Sequence, residues 1–282
     1  MPETRLRFKL EQLQHTGTFK ARGAFNRIIS AAQAGELTDA GVVIASGGNA
    51  GMAIAHAARQ YGTTAHVYVP ETTPAVKVTR LTELGADVVQ VGQRYADAHE
   101  AATRCVQRTG ALYCHAYDQP EICAGQGTLG TELFEQSCGE LDTVLLAVGG
   151  GGLLAGVATA LQPSTRVVGV EPRTSPTLHS ALAFGGPTDV DISGVASDSL
   201  GATRIGDIAW DAANRPGVLS VLVDDEEITA ARTLLWDNYR VVVEHGTAAP
   251  VAALLNGAYR PEPGERITVV LCGANTDITD LA

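Results

Sequence analysis

Short apolar runs alternate along the chain with longer segments whose apolar residues recur at helical spacing. The runs Leu6–Leu10, Gly41–Ala45, Ala65–Val69, Asp87–Val91, Leu112–His115, Thr143–Val148, Arg166–Val170, Val218–Val223 and Ile267–Leu271 read as strands. Most are apolar at successive positions and so on both faces, as in strands covered by helices on either side. Between them, Ala50–Tyr61 repeats Ala, Ile and Ala on one face and stops at Gly62, a good helix terminator. Ala75–Leu84 starts behind Pro74 and stops at Gly85. A further helix is expected over Leu154–Leu161, and another near Glu226, where Asp224 and Asp225 could cap it and suit its dipole. Repeated strand–helix–strand units call for right-handed crossovers and a largely parallel sheet, so the class is α/β. The segment Phe184–Ala202 is rich in Gly, Ser, Asp and Pro, and is expected to be mobile or gated by a ligand.

The chain has 282 residues, enough at roughly 100–200 residues per domain for one large domain or two modest ones. Its net charge of −11 argues against DNA and anionic membranes as partners, while a local site can still take a small anion. Five cysteines, an odd count with no CxxC pair, point to reduced thiols and not to a disulfide framework or zinc site. The amino terminus lacks the apolar core of a signal peptide. No apolar run approaches the ~18 residues of a membrane span. A cytoplasmic protein is expected.

Four segments carry candidate chemistry. In His15-Thr16-Gly17-Thr18-Phe19-Lys20-Ala21-Arg22-Gly23-Ala24, a lysine lies between a glycine turn and an apolar helix start. Burial and the neighbouring Arg22 would favour the neutral amine that Schiff-base chemistry needs, although a surface lysine at a helix start has the same local sequence. Ser46-Gly47-Gly48-Asn49-Ala50-Gly51 follows a strand and precedes a helix. It is either a nest of N–H groups for a carboxylate or simply a tight turn. Gly149-Gly150-Gly151-Gly152-Leu153 follows the most apolar strand and also opens a helix. Four side-chain-free residues there suit a phosphate; no GK[ST] follows, so this is not a Walker loop. Cys272-Gly273-Ala274-Asn275 ends the last strand, where open α/β sheets place ligands, although a lone cysteine there is more often a small buried hydrophobe than a functional group.

Taken together and in this order, the four segments resemble the serine/threonine dehydratase and serine racemase family of pyridoxal-phosphate (PLP) enzymes. Thr16–Ala24 is similar to the family's Schiff-base segment, Ser46–Asn49 to its S-x-G-N loop, Gly149–Gly152 to its tetraglycine loop and Cys272–Asn275 to its terminal [SC]-G-x-N. Ala124-Gly125-Gln126-Gly127-Thr128 with Glu132, and Gly169-Val170-Glu171-Pro172, also look familial. The resemblance implies a tryptophan synthase beta-like fold of two open, largely parallel twisted sheets with flanking helices. Residues 1–39 plus 119–282 would form a large PLP-binding domain and residues 40–118 a small mobile one, with the cofactor between. Lys20 would hold the cofactor and exchange protons with the substrate Cα, and Phe19 would flank the ring. Asn49 would bond the ring's 3′ oxygen, Gly149, Gly150, Gly151, Gly152 and Leu153 would hold the 5′-phosphate, and Cys272 would meet the pyridine nitrogen. Ser46, Gly47, Asn49 and Ala50 would bind the substrate carboxylate, and Glu244 is a further candidate near the cofactor.

The implied activity is β-elimination on L-threonine or L-serine, giving a 2-oxo acid and ammonia, in a cytoplasmic homodimer. Alternatives are a β-replacement synthase of cysteine-synthase type, a racemase or 3-hydroxyaspartate dehydratase, or a phosphate-binding module without chemistry. The chain departs from the family pattern in three places. Only nineteen residues precede Lys20, and a T-P-L lead is absent. Gly47 stands where racemases carry a second serine. At the family's divalent-cation position Glu171 and Ser175 match, but Thr177 replaces an Asp, so no metal site is expected. With no regulatory domain after residue 282, feedback through one is not expected.

Overall fold

The computed structural model describes residues 5–281. In chain order its elements are β1 (Arg5–Lys9), α1 (Lys20–Gln33), β2 (Val42–Ala45), α2 (Asn49–Tyr61), β3 (Ala65–Val69), α3 (Ala75–Glu83), β4 (Ala86–Gln90), α4 (Tyr95–Thr109), β5 (Leu112–Tyr113), α5 (Pro120–Gln136), β6 (Thr143–Ala147), α6 (Gly152–Leu161), β7 (Arg166–Pro172), α7 (Thr177–Phe184), α8 (Asp207–Ala213), β8 (Val218–Val223), α9 (Asp225–Tyr239), α10 (His245–Leu255) and β9 (Arg266–Val270). They divide into two compact units. One takes the chain up to Phe19 and from Gln126 onward, the other Lys20–Gly125.

The second unit is built on a four-stranded parallel sheet of order β4-β3-β2-β5. Its central strand β2 is buried at every position, and Ile44, Ile54 and Leu81 are among its largest fully buried side chains. The first unit holds a five-stranded parallel sheet of order β1-β9-β6-β7-β8. Here β6 is buried throughout, as a strand covered on both faces must be. The fold is the expected α/β arrangement of two parallel sheets with flanking helices.

Strand positions follow the apolar runs, and the differences at their ends have local causes. β5 pairs only over Leu112–Tyr113, because the chain turns at His115, whose Nδ1 accepts the Tyr117 and Asp118 N–H groups. β7 runs two residues further than expected. Glu171 and Pro172 continue its ladder opposite Leu222 and Val223, so a buried carboxylate lies within a strand that apolar patterning ends at Val170. Asp224 caps α9 in a box with Glu227, as expected. Asp225 does not share that role: it is the first helical residue, and its carboxylate accepts from Thr174 Oγ1 (3.0 Å) and the Val195 N–H (3.2 Å). The segment 185–202 is irregular but tied down, with Val190 bonded to Thr203, Ser193 to Thr174 and Leu200 to Ala196.

Within the second unit, the start of α5 lies against α1 at Gly125. A Cβ there would come within 2.6 Å of the Arg22 carbonyl oxygen and the Gly23 Cα. Both are backbone atoms and cannot swing aside. Gly125→Ala is therefore expected to force α1 and α5 apart at an overpacking cost of about 1–3 kcal/mol. A lower urea midpoint for the variant checks this, and an unchanged midpoint contradicts it.

Candidate active site

The residues singled out from the sequence fall at the carboxyl ends of parallel strands and at the helix starts that follow them. In the second unit, Lys20 is the first residue of α1, and its Nζ donates to the Ala116 carbonyl at 2.8 Å. The turn that presents this carbonyl is organised by His115. Its Nδ1 accepts the Asp118 N–H at 2.8 Å and the Tyr117 N–H at 3.2 Å, while its backbone N–H donates to Gln119 Oε1. A nitrogen that accepts cannot carry a proton, so the ring is neutral with its hydrogen on Nε2. Burial pushes His115 below its ordinary value; the Asp118 charge opposes this and that of Lys20 adds to it.

Ser46 follows β2, and its Oγ accepts the Gly48 N–H at 3.4 Å. Gly48 then caps α2 without any side-chain bond, and Asn49 and Ala50 form the first turn. The first turn of a helix presents unsatisfied N–H groups, which suits a carboxylate. Gly47 offers no side-chain group, and a Cβ there would sit 3.3 Å from both Val69 and Thr73.

In the first unit, β6 leads through Val148 into the four glycines, and α6 begins at Gly152 with Leu153 buried in its first turn. Gly151 has φ +83, and a Cβ on it would meet Ala209 at 2.5 Å, so only glycine fits. The loop's carbonyls are all engaged by protein donors. Gly149 O accepts from Thr177 Oγ1 at 2.6 Å, Gly150 O from the Gly206 N–H at 3.0 Å and Gly151 O from the Ala155 N–H at 2.8 Å. In a trans peptide the N–H points opposite to the C=O of the same plane. The N–H groups of Gly150, Gly151 and Gly152 are therefore turned away from those three donors, as a row at a helix start.

Cys272 follows β9 and is buried, with its Sγ 3.1 Å from Thr247 Oγ1 of α10. The first and fourth sequence motifs meet here. The Phe19 N–H donates to Cys272 O at 2.9 Å, Thr18 bridges Gly273, Ala274 bonds Gly17, and Asn275 Nδ2 donates to Thr16 O at 2.8 Å. Glu244 is buried at the start of α10, and its N–H donates to Gly273 O.

Glu171 lies fully buried on β7 and serves as the missing cap of α7, whose first turn has no side-chain cap of its own. It accepts the Leu178 N–H at 2.7 Å and the His179 N–H at 2.9 Å, and its Oε1 lies 2.9 Å from Thr177 Oγ1. Burial pushes its carboxyl up to about 7, against the lowering effect of those donors. Thr177 has one hydroxyl proton and two acceptor oxygens in reach. If it donates to Gly149 O, the contact with Glu171 is a hydrogen bond only when the carboxyl is protonated and donates in turn.

Sequence reasoning missed three of these contacts. Thr247 beside Cys272 and the turn at Ala116 beside Lys20 carry no local sequence signal. Thr177 stood out only as a departure, and its bond to Gly149 depends on β6 and β7 being neighbours. Other conspicuous side chains have structural roles. His66 bonds Asp87 at 2.9 Å, His56 packs edge-on against Phe25, and burial pushes the Cys114 thiol up to about 12, keeping it neutral.

The model of the pyridoxal-phosphate dependent enzymes matches residues 2–273. The chain belongs to this family. It is 35% identical over 273 residues to an L-threonine ammonia-lyase of Thermotoga maritima, covering 96% of this chain and 67% of that one. With a phenylserine dehydratase of Ralstonia pickettii it is 36% identical over 285 residues, covering all of this chain and 86% of the other. The structure of the processed form of threonine deaminase isoform 2 from Solanum lycopersicum superposes with a TM-score of 0.90 at 31% identity, covering 99% of this chain and 77% of that one. The residues present fit the family's cofactor. Carbonyls turned toward protein donors leave N–H groups of Gly150, Gly151 and Gly152 of the kind that can receive a phosphate, Lys20 carries the primary amine that a Schiff base requires, and the Cys272–Thr247 pair is a neutral polar contact.

The buried Glu171 sets a pH dependence of stability. In the unfolded chain it titrates near 4.5, in the folded chain near 7. Between these values the unfolded state has released a proton that the folded state retains, so the stability supplied by Glu171 is complete below about 4.5 and declines as pH rises to about 7. Glu171→Gln is expected to flatten that decline. Melting temperatures of both proteins from pH 4 to 8 check it, and parallel curves contradict it.

Proposed function

We propose that the protein is an L-serine/L-threonine ammonia-lyase, converting a β-hydroxy amino acid to a 2-oxo acid and ammonia. The observation that carries this reading is Gly47. In this scheme the substrate carboxylate is received by the loop Ser46, Gly47, Asn49 and Ala50, whose N–H groups supply an anion site without a competing charge. Bound pyridoxal phosphate supplies an electron sink for the pair left at Cα. The Lys20 amine takes the Cα proton, a positioned-base step that typically contributes about 10²–10⁴-fold. The Ala116 carbonyl accepts from the same amine and limits where it can point. The β-hydroxyl then leaves as water with the proton that Lys20 returns, and hydrolysis of the released enamine gives the 2-oxo acid and ammonia. Phe19 would flank the cofactor ring, Asn49 would bond its 3′ oxygen, and Gly149–Leu153 would hold the phosphate. Cys272, paired with Thr247, offers the ring nitrogen a neutral group, which suits elimination over transamination. Glu244, buried beside Gly273, is a candidate neighbour of this group.

Racemisation would need a second proton donor on the face opposite Lys20, and a glycine at 47 has none to give. The reading extends to a mobile lobe of residues 40–118, which falls inside the second compact unit, and whose closure would exclude water during the reaction. The absence of disulfides among the described cysteines supports a cytoplasmic location, and a homodimer is the expected assembly.

Two experiments test the proposal. The purified protein, loaded with pyridoxal phosphate, is incubated with L-serine, L-threonine, phenylserine and 3-hydroxyaspartate, and the products are followed by 2-oxo acid assay and chiral chromatography. Serine should yield pyruvate with little D-serine, and Lys20→Ala should yield neither while keeping its circular dichroism. D-serine accumulating as fast as pyruvate would overturn the lyase reading in favour of a racemase. Separately, Gly150→Asp should weaken cofactor binding by roughly tenfold or more with little change in melting temperature, because a carboxylate in the loop opposes the phosphate. Equal affinity would show that the loop is not the phosphate cradle.

A further inference from the structure

We propose that Thr177 is a positioning residue for the cofactor phosphate: its hydroxyl locks the Gly149–Gly150 peptide plane so that the Gly150 N–H faces the phosphate. The inference rests on the reading that the tetraglycine loop holds that phosphate, and goes beyond it by naming what aims the loop.

Three observations carry it. The loop is a run of glycines, and a Gly–Gly peptide has no Cβ on either side to resist rotation of its plane. Its orientation must come from hydrogen bonds at its edges. Gly150 O and Gly151 O are held by backbone N–H groups, from Gly206 and Ala155, which a side-chain substitution cannot remove. Gly149 O is held instead by a side chain, Thr177 Oγ1, at 2.6 Å. Of the three planes, this one is set by residue identity.

The hydroxyl is itself fixed. Thr177 is fully buried and opens α7, with its Oγ1 2.9 Å from Glu171 Oε1, which donates to it when protonated, while Glu171 takes the next two N–H groups of the helix. Glu171 on β7 thus seats the first turn of α7, the turn seats Thr177, and Thr177 seats the glycine loop at the end of the adjacent β6. Rotating the Gly149–Gly150 plane would leave the Thr177 hydroxyl and the carbonyl it serves to find new partners in a buried setting, which is costly. A valine at 177 has the same shape without the hydroxyl, so it frees the plane while filling the same space.

The test compares Thr177→Val and Thr177→Ser with the parent protein by titration of the apoprotein with pyridoxal phosphate and with unphosphorylated pyridoxal. Folding is monitored by circular dichroism and melting temperature. Thr177→Val should bind pyridoxal phosphate about tenfold more weakly and pyridoxal unchanged, and Thr177→Ser should bind both like the parent. Three outcomes would overturn the inference while leaving the phosphate-loop reading in place. In the first, Thr177→Val keeps parental pyridoxal-phosphate affinity while Gly150→Asp loses it, so the loop holds the phosphate but Thr177 does not aim it. In the second, Thr177→Val loses both ligands in step with a lowered melting temperature, the mark of a purely structural residue. In the third, Thr177→Ser is as impaired as Thr177→Val, which would make the methyl the operative group. If Gly150→Asp and Thr177→Val both bind like the parent, the phosphate-loop reading itself fails and takes the inference with it. The serine variant, differing by one methyl group, keeps the comparison decisive should the valine variant fold poorly.

Discussion

The structure around the glycine loop depends on where its carbonyls go. A backbone oxygen in a buried turn must find a donor, and each carbonyl that does so commits the N–H of the same peptide to the opposite side. At Gly149, Gly150 and Gly151 the donors come from three separate elements: the first turn of α7, the segment leading into α8, and α6 itself. That arrangement explains features that otherwise look unrelated. Gly151 must be glycine because Ala209 of α8 crowds it. Glu171 is tolerated at full burial because the first turn of α7 needs a cap. The strands β6 and β7 carry no polar side chain over the four residue pairs that lead into the loop, Val144–Ala147 beside Val167–Val170, and all eight residues are buried.

Much of the architecture was legible in the sequence, for a definite reason. Strands covered on both faces are continuous apolar runs, and their ends fell within a residue or two of where patterning put them, with Ala65–Val69 and Val218–Val223 matched at both ends. Misreadings cluster where polar atoms are buried. β7 runs on through Glu171 because the helix it caps neutralises the cost of the carboxylate, and a pattern of apolar residues has no means of registering that compensation. β5 stops early because the His115 ring acts as an acceptor and bends the chain, a role set by the ring's tautomer and not by hydropathy.

The candidate site was legible in a different way. Glycine runs, the lysine at a helix start and the serine loop are local, so they could be found one segment at a time. The contacts that orient them are long-range: Thr177 to Gly149, Thr247 to Cys272, Ala116 to Lys20. Each joins positions many residues apart, and each donor or acceptor is an ordinary threonine or backbone carbonyl with no distinctive neighbours. Local motifs therefore named the candidate groups, while the contacts that orient them emerged only with the sheet order.

An acidic protein that binds a phosphate faces an opposing field, since its net charge of −11 repels the ligand at long range. Cationic side chains could offset that, but they would also compete for the substrate carboxylate and perturb the Lys20 amine. Backbone N–H groups avoid both problems. Their dipoles act within a few ångströms, are fixed by the fold and add no net charge, so in the proposed function phosphate and carboxylate are each received at the start of a separate helix, α6 and α2. Such sites must be held rigidly, because an N–H dipole weakens quickly when it is misaimed. The number of hydrogen bonds spent on fixing the peptide planes of the glycine loop follows from that requirement, and the same reasoning accounts for a buried threonine hydroxyl where a charged residue would have introduced a second, competing electrostatic centre.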